Sequence, residues 1–97
     1  MEFTPTPKKA ELFTGIIQGK GDVLLLQQFN GGLKLRIQMN ELSTGLELGA
    51  SVAVSGVCLT VVNLQESTWA EFDVIQETLD RSNLGMLQVG SHTKIER

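Results

Sequence analysis

From Leu33 to Met39 the sequence alternates without a fault. Leu33, Leu35, Ile37 and Met39 are apolar, and Lys34, Arg36 and Gln38 between them are polar. Successive side chains of a strand point to opposite faces, so this segment reads as a β-strand with four apolar side chains buried and its charges in water. Immediately before it, Asn30-Gly31-Gly32 supplies residues that accept positive φ, as a tight hairpin turn requires. The apolar run Val23 to Gln28 precedes that turn as a second strand. A chain that opens on such a hairpin needs more strands to cover its apolar face.

The remaining pattern supplies them. Leu12 to Gln18 reads as a strand ending in a turn or bulge at Gly19-Lys20-Gly21. Ser51 to Val54 and Val57 to Leu64 are strands separated by Ser55-Gly56. The second is apolar at both Val57, Leu59, Val61 and Cys58, Val62, Leu64, which predicts burial on both faces. Trp69 to Ile75 and His92 to Glu96 complete the set, after turns at Gln65 to Thr68 and Val89-Gly90-Ser91. Helical signal is confined to Asn40 to Leu48, where Asn40 is placed to cap a short turn ended by Gly45 or Gly49, and to Gln76 to Met86, a short helix followed by a loop. Six or seven short strands with glycine-rich turns predict a closed barrel or a sandwich, and leave no helices for βαβ units.

The chain has 97 residues, one domain's worth. Met1 to Glu11 holds both prolines and lacks periodicity, and reads as a flexible tail, leaving 12–97 as a single β-domain. A domain this small buries only about 60–65% of its unfolded surface, and self-association would help it. Eight basic residues are scattered among eleven acidic ones, for a net charge of −3. Nucleic-acid phosphates and anionic membranes call for clustered Lys and Arg, so both are disfavoured as partners. The sequence lacks a bilayer-length apolar stretch and the apolar core of a signal peptide, and its single Cys cannot form an internal disulfide. A cytoplasmic protein is expected.

Individual residues say less. Gly15-Ile16-Ile17-Gln18-Gly19-Lys20-Gly21 has the wrong glycine spacing for a phosphate loop, and Gly21 stands where Ser or Thr is needed. One Cys and one His offer no metal-ligand spacing. By composition Cys58 is a small buried residue, His92 a strand-end surface residue and Trp69 a core residue or, second, a pocket wall. Asp73 shares a strand face with Trp69, Glu71 and Ile75. With Glu77 and Asp80 it forms either a solvated acidic rim or a grip for hydroxyl groups.

Four separated segments together resemble the N-terminal barrel of riboflavin synthase and related lumazine-binding proteins. They are Leu12-Phe13-Thr14-Gly15-Ile16-Ile17-Gln18-Gly19; Leu46-Glu47-Leu48-Gly49-Ala50-Ser51-Val52-Ala53; Ser55-Gly56-Val57-Cys58-Leu59-Thr60-Val61; and Phe72-Asp73 with Glu77-Thr78-Leu79 and Ser82-Asn83-Leu84-Gly85. The resemblance implies a six-stranded antiparallel Greek-key barrel with short helical turns. It implies a ligand too, 6,7-dimethyl-8-ribityllumazine or riboflavin. The implied reaction is dismutation of two lumazines to riboflavin and a ribitylamino-pyrimidinedione, with no metal or redox cofactor required. Such a reaction is a matter of holding two flat ligands face to face.

Carried over residue by residue, Phe13, Ser51 and Cys58 resemble the family's residues at the reacting ligand. Cys58 and Thr60 would lie along the ring, with main-chain groups meeting its donors and acceptors. Asp73 to Ile75 would add main-chain contacts from across the pocket, so that Asp73 and Ile75 count as ligand-binding. Glu77 and Thr78 would bind the ribityl hydroxyls, and Leu59, Val61, Phe72 and Val74 would line the barrel interior or the apolar pocket wall. The family's enzyme has a second barrel and a C-terminal helix that assembles a trimer, and this sequence carries the first barrel alone. The isolated chain is thus expected to form a homodimer and to show little or no turnover. A non-catalytic lumazine or flavin carrier, or an antenna protein, is the alternative.

Overall fold

A computed structural model of the chain describes residues 18–97. The expected tail 1–11 and the start of the first strand, with Phe13, lie outside the described residues. The predicted hairpin is formed by β1 (Gln18–Phe29) and β2 (Gly32–Gln38), with Phe29 opposite Gly32. Gly31, at the tip, is the residue that takes positive φ.

The four alternating apolar side chains of β2 and its flank are buried, as their spacing requires. Leu35, Ile37 and Met39 share one core with Ala70, Phe72 and Val74 of β5 (Trp69–Ile75), Leu59 and Val61 of β4 (Val57–Gln65), Val52 and Val54 of β3 (Ser51–Val54) and Ile95 of β6 (His92–Glu96). Each strand gives alternate residues to a common interior, and the strand order β1-β2-β5-β4-β3-β6 closes on itself with every pair antiparallel. The consecutive strands β3, β4 and β5 have β2 beside β5 and β6 beside β3, which makes two overlapping Greek keys. The six-stranded Greek-key barrel is thus the fold. Helix is confined to α1 (Gln76–Arg81) and two 3₁₀ turns, Asn40–Ser43 and Leu84–Met86. No described helix is long and apolar enough to cross a membrane.

Four expectations are corrected. Gly19-Lys20-Gly21 is neither turn nor strand end: β1 runs straight through it, paired with β6 from Gln18 to Asp22 and with β2 from Asp22 to Phe29. The glycines serve proximity. A Cβ on Gly21 would lie 2.5 Å from Ile37 Cγ2, and one on Gly19 2.7 Å from Leu42 Cδ1. From Gln18 onward, the expected bulge and the strand expected at Val23 to Gln28 belong to one element, β1.

Trp69 is not in the core. It lies half-buried on the outer face of β5, with the Arg36 guanidinium 4.2 Å from its ring centroid. Cation–π stacking replaces core packing there.

β4 is buried on one face only. Leu59 and Val61 point inward, while Cys58, Thr60 and Val62 are exposed. Cys58 therefore presents its thiol to solvent. Asn40, expected as a cap, instead opens its 3₁₀ turn with positive φ, and its side chain accepts from Gln38 Nε2 at 3.1 Å.

Candidate functional site

The site arises where two strands part. β4 and β5 are paired from Gln65↔Trp69 to Val61↔Phe72, with a register shift between Val61 and Asn63, and there the ladder ends. Beyond it β4 continues to Val57 held by β3 alone, and β5 continues to Ile75 held by β2 alone. α1 begins at once, with Ile75 as its extended N-terminal flank, and stands beside the gap. The groove that results has a volume of about 410 Å³ and is lined by Gly56, Val57 and Cys58 on one side and Glu77, Thr78, Arg81 and Ser82 on the other.

Main-chain direction follows from the ladders. The Val61 N–H donates to Ala50 O and its carbonyl accepts from Gly49 N, each at 2.9 Å. By alternation Leu59 and Val57 also turn their polar groups toward β3, and Cys58 turns its own toward the gap. On the other side the Gln76 N–H donates to Gly31 O at 2.9 Å. Gln76 and Val74 therefore face β2, and Ile75 faces the gap. Amide and carbonyl groups of Cys58 and Ile75 thus border the same opening.

Local chemistry holds the polar wall. The first turn of α1 carries Glu77 and Thr78, and Arg81 Nη2 lies 3.3 Å from Glu77 Oε2, one helical turn on. Ser82 Oγ donates to Thr78 O at 2.6 Å and accepts from Leu84 N at 3.2 Å, which terminates the helix. The opposite wall is the Ser55-Gly56 turn, where both residues have positive φ. Ser55 Oγ is hydrogen-bonded to the Thr93 hydroxyl of β6, which anchors the turn to the barrel.

Of the sequence-derived candidates, Cys58, Glu77 and Thr78 come together around this groove. Thr60 is exposed two residues along β4 from Cys58, with Ser51 opposite it on β3, also exposed. Both lie on the barrel's outer surface beyond the groove lining. Ile75 is exposed at the end of β5, and Asp73 stands apart. Asp73 Oδ1 is 3.7 Å from Lys34 Nζ, and the residue borders a separate hollow with Lys34 and Phe29. Leu59, Val61, Phe72 and Val74 are core residues. Arg81 was not anticipated, although a Glu–Arg pair four apart on a helix marks a shared face. Among the described residues no three His, Cys, Asp or Glu side chains converge as a metal site would need.

The sequence profile of the lumazine binding domain matches residues 14–97, nearly the whole chain. The chain belongs to the lumazine binding domain family. Riboflavin synthase of Mycobacterium tuberculosis (strain ATCC 25618 / H37Rv) is 40% identical over 86 residues, covering 89% of this chain and 43% of that protein. Riboflavin synthase of Escherichia coli (strain K12) is 37% identical over 87 residues, covering 89% and 40%. Among solved structures, LumP complexed with 6,7-dimethyl-8-(1'-D-ribityl) lumazine superposes with a TM-score of 0.76 at 26% identity, covering 88% of this chain and 48% of that one. This lumazine binding domain thus spans less than half the length of the curated relatives it matches.

Proposed function

We propose that the groove between β4 and α1 binds 6,7-dimethyl-8-ribityllumazine or riboflavin, and that the chain is one barrel of a riboflavin synthase-type enzyme. The observation that carries this reading is the meeting of Cys58 with Glu77 and Thr78 across a groove opened by the parting of β4 and β5. Its volume lies within the roughly 300–1,000 Å³ typical of small-molecule sites.

The division of labour follows from chemistry. A pyrimidinedione edge alternates donors and acceptors, as do the main-chain groups of Cys58 and Ile75 at the opening. Glu77 and Thr78 supply acceptors and a hydroxyl for the ribityl chain. Arg81 positions the Glu77 carboxylate. Thr60 and Ser51 stand on the exposed surface next to the groove, where a ring lying along β4 would reach them. Asp73 contributes through its main chain, since its side chain is held by Lys34. Phe13 belongs to this proposal by family resemblance.

Dismutation needs two lumazines stacked face to face, and one groove holds one ring. The second ring requires another barrel, from a longer protein that forms trimers or from a second copy in a homodimer. Placing the rings together is the main catalytic contribution, because it removes the entropy cost of a bimolecular encounter. The chain alone, a cytoplasmic protein in this reading, binds ligand with little or no turnover.

Titrating riboflavin into the purified chain, with its fluorescence as readout, is expected to give saturable quenching at about micromolar concentration. No saturable change would overturn the assignment. Incubating the chain alone with 6,7-dimethyl-8-ribityllumazine is expected to leave riboflavin absorbance almost absent, and rapid growth of that absorbance would overturn the need for a second barrel.

A further inference from the structure

A second hollow is larger than this groove. On the other side of α1, between that helix and the β1–β2 hairpin, lies a hollow of about 600 Å³. Its floor is made by Leu26, Leu33, Leu79 and Leu87, and Phe29 forms a wall with 43% of its surface exposed. Phe29 faces Gly32 across the hairpin, and its ring edge reaches over that glycine. A half-exposed aromatic above a leucine floor leaves apolar surface in water that a flat molecule would cover.

The rim gives the hollow its selectivity. The Gln28 amide, at the mouth, has no hydrogen-bond partner among the described residues, and so offers both a donor and an acceptor. Asp80 accepts from Gln76 Nε2 at 2.9 Å through Oδ1, which leaves Oδ2 available to a donor. Among the described residues no Lys or Arg lines the hollow. A carboxylate without a neighbouring cation disfavours anions and favours N–H donors.

We propose that this hollow is a second ligand site, taking a flat, uncharged or cationic heteroaromatic molecule that lies against Phe29 and donates to Asp80. α1 is the partition between the two sites. It turns Leu79 and Asp80 to this one and Glu77, Thr78 and Arg81 to the groove.

Gly85 makes the proposal testable. It borders the hollow, and a Cβ added to it would meet nothing closer than Leu79 O at 3.8 Å. Gly85→Leu should therefore fill the space without disturbing the barrel. The probes are 2-aminobenzimidazole, flat with N–H donors, and 1-naphthoate, a flat anion of similar size, followed by leucine-methyl NMR. The first is expected to shift the Leu26, Leu33, Leu79 and Leu87 methyls saturably at about millimolar concentration, and the second to leave them unmoved. Gly85→Leu should weaken that binding about tenfold or more while riboflavin quenching stays as in the parent. Phe29→Ala, at an exposed position, should do the same. Methyl shifts that persist in both variants, equal binding of the anion, or shifts confined to the Cys58 side would overturn the proposal. So would methyl shifts that follow protein concentration without any probe, since they would mean that a second copy fills the hollow. Failure of riboflavin to bind leaves these readouts intact, so the two sites stand or fall separately.

Discussion

Arg36 on β2 and Glu71 on β5 face each other across the ladder, with Arg36 Nη2 2.5 Å and Nε 2.7 Å from Glu71 Oε2. The Glu71 side chain is 4% exposed, although it sits on the outer face of the barrel. Arg36 covers it and stacks on Trp69, and Asn63 Nδ2 donates to the other carboxylate oxygen at 3.4 Å. Removing the cation strands a buried charge, so Arg36→Met should cost about 2–3 kcal/mol, the lower end for a pair whose Arg is partly exposed. The double variant Arg36→Met/Glu71→Met should cost less than the single one. Urea denaturation of the three proteins checks both statements.

Gly32 is fixed by its neighbour's main chain. A Cβ there would lie 2.2 Å from Val74 O, which cannot move without breaking the β2–β5 ladder. Gly32→Ala should destabilise by about 3 kcal/mol or more. Gly45 has φ +76 and nothing within 4 Å, so Gly45→Ala should cost only the strain of a left-handed backbone, about 1–2 kcal/mol. A difference in urea midpoint between the two variants is the measurement.

Cys58 is the single cysteine of the sequence, exposed at the groove. Ellman's reagent should titrate one thiol per native chain without denaturant. Saturating riboflavin should slow the reaction, because a ring against β4 shields the sulfur. A rate unchanged by riboflavin would remove Cys58 from the ligand's neighbourhood.

Glu77 and Arg81 are both largely exposed, so their bridge contributes little to folding. Glu77→Gln should leave the urea midpoint almost unmoved. It should weaken riboflavin by about two- to tenfold if the carboxylate accepts from the ribityl chain. Thr60→Ala should lower affinity by a comparable or smaller factor, read from the same quenching titration.

Period-two patterning made much of the barrel legible. Leu33 to Met39 announced their own face, and the Asn30-Gly31-Gly32 turn announced the hairpin. The pattern failed where side chains on both faces of a strand are apolar. Val57 to Leu64 reads as doubly buried, yet Cys58 and Val62 are exposed, and only tertiary placement decides which face meets the core. It failed again at Gly19 and Gly21, because a glycine that makes room for Ile37 or Leu42 looks the same in sequence as one that makes a turn. Of the groove, the residue types were readable and the cause was not. The ladder stops at Val61↔Phe72, and no local signal records a missing pair.

Across the β1–β6 ladder Gln18 lies directly opposite Glu96, so the first described strand begins beside the place where the last one finishes. A module built this way can be strung in series, or spliced into a larger host, with a short connector and almost no entropic toll for closing the loop.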